Sequence, residues 1–60
     1  MNLMTEDKQL YFIEEETTMG WSLIDKEDIN LTKEKCIERF NYHVRTGKNP
    51  NKMRVSVWNQ

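Results

Sequence analysis

A chain of 60 residues, 37% hydrophobic and with a formal net charge of −1, makes a single domain close to the lower limit for unaided folding, since so short a chain buries only about 60% of its unfolded surface. One cysteine excludes an internal disulfide, and one cysteine with one histidine falls short of the usual four ligands of a structural zinc site. Self-association is the remaining common source of stability, so a homodimer or larger assembly is expected.

The first eight residues, Met1 to Lys8, show no periodicity and read as a flexible tail ahead of a domain spanning residues 9–60. Gln9 to Glu16 reads as a strand, with Tyr, Phe and Ile adjacent. Leu10 and Phe12 share one face, Tyr11 and Ile13 the other, and apolarity on both faces asks for a central position or a covering partner. Glu16 to Gly20 is a short polar connection suited to a hairpin. Trp21 to Asp25 returns as a second strand, and Lys26 to Asn30 is a charged loop.

Leu31 to Gly47 carries the clearest plan. Thr32 suits an N-cap, Leu31 and Cys36 are placed for a hydrophobic staple, Gly47 suits the left-handed stop, and Pro50 prevents a restart. At about 100° per residue, His43, Cys36, Phe40, Val44 and Ile37 fall within one apolar arc of roughly 120°. Lys52 to Trp58 alternates cleanly, with Met53, Val55 and Val57 inward and Arg54, Ser56 and Trp58 outward. The expected fold is α+β: a ββαβ chain forming a three-stranded sheet, one helix packed on one face, and strand order second-first-third. The last strand should then run parallel to the second.

Charge is divided unevenly along the chain. Residues 1–31 carry eight acids and two bases, a balance of −6, whereas residues 32–60 carry seven bases and two acids, a balance of +5. The halves are expected to attract each other within one fold or across a dimer. The lone Cys36 fits a reducing cytoplasm, and no basic segment followed by an apolar run opens the chain, so no secretory signal is expected. The longest apolar run, Leu10 to Ile13, is far too short to cross a membrane.

No chemical constellation survives its geometry. Cys36 and His43 lie seven residues apart, roughly 10.5 Å along a helix axis, against the ~3 Å a nucleophile and its base need. Glu14 and Glu16 share a side but sit near a turn open to water. Thr46-Gly47-Lys48 ends a helix, whereas a phosphate loop begins one. The expectation is therefore a protein without catalytic, metal or cofactor residues. Tyr11, Trp21 and Trp58 are candidate contact residues, because large aromatics are enriched at protein interfaces. The alternative is nucleic-acid binding through Arg45, Lys48, Lys52 and Arg54, which gather around the turn after the helix.

Gly20-Trp21-Ser22-Leu23-Ile24-Asp25, Leu31 to Cys36, and Gly47-Lys48-Asn49-Pro50-Asn51 before a final strand together resemble short proteins of marine cyanophages and related tailed phages, which carry no known activity. The resemblance spans roughly residues 10 to 58. It implies a viral origin and expression in a bacterial cytoplasm; from the residues themselves, the expected mode of action is contact with itself and with a host or viral protein. Such proteins favour an acid where this chain has Lys35, so the reciprocal half of a capping box is missing here.

Overall fold

A computed structural model describes residues 9–58; the expected tail, residues 1–8, lies outside the described residues. In chain order the elements are β1 (Leu10–Thr17), β2 (Gly20–Leu23), α1 (Lys33–Arg45), a 3-10 turn (Pro50–Lys52) and β3 (Met53–Trp58). The strands make one open three-stranded sheet in the order β2-β1-β3, with both pairings antiparallel. Sheet and helix together form a small α+β arrangement. Because β2 and β3 both oppose β1, they run in the same direction, as the helical crossover between them requires.

β1 is central, which accounts for its apolar residues on both faces. Its last four residues pair with β2 through a hairpin that turns at Thr18 and Met19. The Thr17 hydroxyl fastens this turn, donating to the Gly20 carbonyl at 2.8 Å and accepting from the Met19 N–H at 3.1 Å. Gly20 follows the turn at φ 108°, a conformation that costs side-chain-bearing residues strain.

β2 is shorter than the sequence predicts and stops at Leu23. A turn draws the chain away from it: the Asp28 N–H donates to the Asp25 carbonyl at 2.9 Å and the Glu27 N–H to the Asp25 carboxylate at 3.2 Å. The following segment then takes the place of β2 beside the first half of β1. The Ile13 N–H donates to the Asp28 carbonyl at 3.0 Å, and Tyr11 and Leu31 exchange main-chain bonds of 2.8 and 2.9 Å. What reads as a loop thus satisfies the main chain of the central strand. Buried amides without partners would be costly, so this segment is fixed by the strand that it covers.

α1 begins and ends where its capping residues place it. The Thr32 hydroxyl accepts from the Lys35 N–H at 3.2 Å. At the other end Gly47, at φ 114°, lets the Lys48 N–H return to the His43 carbonyl at 2.9 Å. The core is small: Ile13, Leu31, Cys36 and Met53 are buried, with Tyr11, Ile24, Phe40 and Val44 packed against them. Burial on α1 centres on Cys36 and His43. Relative to the predicted arc, the buried side turns toward half-buried Arg39, and Ile37 is left 54% exposed. The cause lies beneath Arg39, where Asp28 sits.

Candidate functional site

Asp28 is wholly buried, with 0% of its surface exposed. Both carboxylate oxygens are occupied: Oδ1 accepts from Arg39 Nε at 2.7 Å and Oδ2 lies 2.8 Å from His43 Nε2. Arg39 and His43 are four residues apart on α1, so they project side by side onto one acid from the connecting segment. Arg39 also reaches toward Asp25 at 3.7 Å and lies over the Tyr42 ring at 5.1 Å. Its hydrogen bond to Asp28 raises the guanidinium pKa further above its ordinary value. Sequence reading missed this cluster. The available signal was an arginine one turn before a histidine at the edge of an apolar arc, a pairing that calls for an acid opposite.

Of the cluster, Arg39 alone is partly open to solvent. His43 and Cys36 are each only 4% exposed, and His43 spends Nε2 on Asp28. Burial, with a smaller push from the Asp28 charge, raises the Cys36 thiol above its ordinary 9.0 and so keeps it protonated and unreactive. Among the described residues, no group of three or more His, Cys, Asp or Glu is arranged to hold a metal ion. No helix of the described residues is long and apolar enough to cross a membrane.

The candidate contact residues divide between two faces. Register puts Leu10, Phe12 and Glu14 of β1 on one face with Trp58, Ser56 and Arg54 of β3, and Glu14 and Glu16 on that same face with Leu23 and Trp21 of β2. Phe12 and Trp58 meet edge to face at 5.7 Å, and the Arg54 guanidinium lies 4.3 Å from the Trp21 ring centre. Arg54 also binds Glu14 through Nε and Nη2, each at 2.9 Å. Trp21 and Leu23 stay 37% and 42% exposed. Tyr11 instead points to the opposite side, against the core beneath α1, and does not join the two tryptophans. Alternation along β1 already separates it from Phe12, so Tyr11 and the tryptophans do not form one patch.

On the helix side an apolar groove of about 400 Å³ opens between α1 and the sheet, lined by Tyr11, Lys33, Cys36, Ile37, Phe40, Asn41 and Val55. Val55 and Val57 of β3 are each 45% exposed.

The four basic candidates are only partly available. Lys48 Nζ binds Glu15 at 2.9 Å, and Arg54 is held by Glu14. Arg45 and Lys52 are exposed. The ion pairs Asp28–Arg39, Asp25–Arg39, Glu15–Lys48 and Glu14–Arg54 all join the acidic half of the chain to the basic half, so the two halves do attract within one fold. Comparison with protein-family models, with curated proteins and with solved structures gives no match.

Proposed function

We propose that this chain is a small non-enzymatic accessory factor that works by contact. In this reading the ββαβ layout packs its helix on one face of the sheet and leaves the other face and the sheet edges to meet a second copy and a host or viral protein, in keeping with the phage-like sequence pattern. The observation that carries the reading is the sheet face that no described element covers, where Arg54 lies over Trp21, Phe12 meets Trp58, and Trp21 and Leu23 stay partly exposed. Aromatics and arginine are the residues that most often dominate binding energy at interfaces. Here Arg54 is already oriented by Glu14 and Trp21, so little side-chain freedom is lost on binding.

The experiment is mass by light scattering, combined with tryptophan emission, over a range of chain concentrations. The expected result is a mass that rises above one chain while emission moves to shorter wavelength. A one-chain mass at high concentration with unchanged emission contradicts the proposal. Nucleic-acid binding has less in its favour, because Lys48 and Arg54 are already engaged by carboxylates. A salt-sensitive affinity for DNA or RNA that is lost on replacing Arg45 and Lys52 would favour it instead.

A further inference from the structure

We infer that β3 is the self-association edge, pairing antiparallel with β3 of a second copy about a two-fold axis at Ser56. The inference rests on the contact reading above and names the surface that self-association uses. The main-chain geometry of β1 fixes which groups of β3 are available. Tyr11 and Ile13 direct their main-chain bonds to the connecting segment, so the alternate residues Leu10, Phe12 and Glu14 direct theirs to β3. Their partners are Trp58, Ser56 and Arg54. The intervening residues Met53, Val55 and Val57 therefore turn their N–H and C=O groups to the outer edge. Met53 already donates its N–H to the Pro50 carbonyl. Val55 and Val57 are left presenting donors and acceptors at an edge where, among the described residues, no strand pairs.

A strand edge of this kind is a template for another strand, and single-domain proteins commonly blunt it with proline, lysine or inward-facing charge. From Met53 to Trp58 the only charge is Arg54, and that side chain is turned onto the sheet face by Glu14. Pro50 and Lys52 guard only the approach to the strand.

The sequence of β3 is also complementary to itself reversed. With Ser56 opposite Ser56 of a second copy, Val55 faces Val57 in both directions, and all the outward groups of these two valines find partners. On the helix side this pairing covers the exposed valines and joins the two apolar grooves beside Ile37. On the open face it sets Arg54 of each copy opposite the partner subunit's Trp58 in register, while the Arg54 guanidinium stays on Glu14 and Trp21 of its own copy. The two arginines stay roughly 14 Å apart at about 3.4 Å per residue, four residues along the strands. That separation exceeds the ~8 Å screening length at physiological salt.

β2, the other edge, is a poorer candidate. It has four residues, and its residue on the helix side between Trp21 and Leu23 is the polar Ser22. The resulting assembly is a continuous sheet ordered β2-β1-β3-β3-β1-β2, with the aromatic face extended across both copies. So short a strand pair buries little area, so the dimer is weak and is populated as the chain concentration rises.

Two variants of the full chain test this. Val57→Pro removes an outward donor and no bond to β1, so helical circular dichroism should persist while the mass falls to one chain. Ser56→Cys in a Cys36→Ala background should oxidise to a covalent dimer, because opposed residues at a non-bonded antiparallel position have Cα atoms about 4.5 Å apart, within disulfide range. Ser22→Cys in the same background should remain single. An assembly that survives Val57→Pro, or that links through Ser22→Cys and not Ser56→Cys, overturns the choice of edge while leaving self-association standing. A one-chain mass for the unaltered protein at every concentration overturns both. If Val57→Pro unfolds the chain, the cysteine pair decides.

Discussion

Replacing Asp28 with Asn is the sharpest single perturbation of the fold. The side chain keeps its shape and one acceptor oxygen, but it loses the negative charge that faces Arg39 Nε and His43 Nε2, which lie 2.7 and 2.8 Å from the native oxygens. A hydrogen bond to a charged group contributes about 1.5–3 kcal/mol. Removing one partner of a buried pair costs about 3–5 kcal/mol, because the remaining charge is stranded. A domain of this length has a total stability of only about 3–9 kcal/mol, at roughly 0.05–0.15 per residue. Asp28→Asn should therefore remove about 3 kcal/mol, a large part of the whole. Urea unfolding followed by tryptophan emission reads the loss as a lower midpoint. Changing His43 to Gln in the same background should cost much less than it does alone, since contacting residues couple by about 0.5–3 kcal/mol. A loss below about 0.5 kcal/mol, the range of an ordinary surface change, would refute the assignment of Asp28 as the anchor between connection and helix.

Three further outcomes follow from single residues. Burial holds the Cys36 thiol above 9.0 in the folded chain, so the unfolded chain loses that proton first; this contribution is intact below pH 9 and declines as pH rises through the folded value. Urea midpoints at increasing alkaline pH should fall more steeply for the native chain than for Cys36→Ala. Thr32→Ala removes the acceptor for the Lys35 N–H and should lower stability by about 1 kcal/mol in the same assay. Gly47→Ala forces a side chain into φ 114° and should cost about 1–2 kcal/mol, visible as a lower thermal midpoint by circular dichroism.

Local chemistry made much of the fold legible. Thr32, Gly47 and the alternation after Lys52 act within a turn or a strand, so a short window of sequence contains both partners. Apolarity on both faces of Leu10 to Ile13 was enough to place the first strand centrally. The Asp28 cluster was not legible in this way. Its partners lie eleven and fifteen residues further along the chain, and within Lys26-Glu27-Asp28 nothing local separates the buried acid from its solvated neighbours. The same long-range effect displaced the helix face toward Arg39 and converted an apparent loop into a substitute strand beside Tyr11 and Ile13. Tyr11 looked like a companion to the tryptophans because aromatic identity was weighed ahead of strand alternation.

The proposed function requires that this sheet meet another chain. Sedimentation equilibrium of the 60-residue chain, at physiological salt and over a wide concentration range, tests it most directly. The account predicts a mass that climbs from the 7.3 kDa of one chain toward twice that value. A mass that stays at one chain up to the highest concentration reached would contradict it.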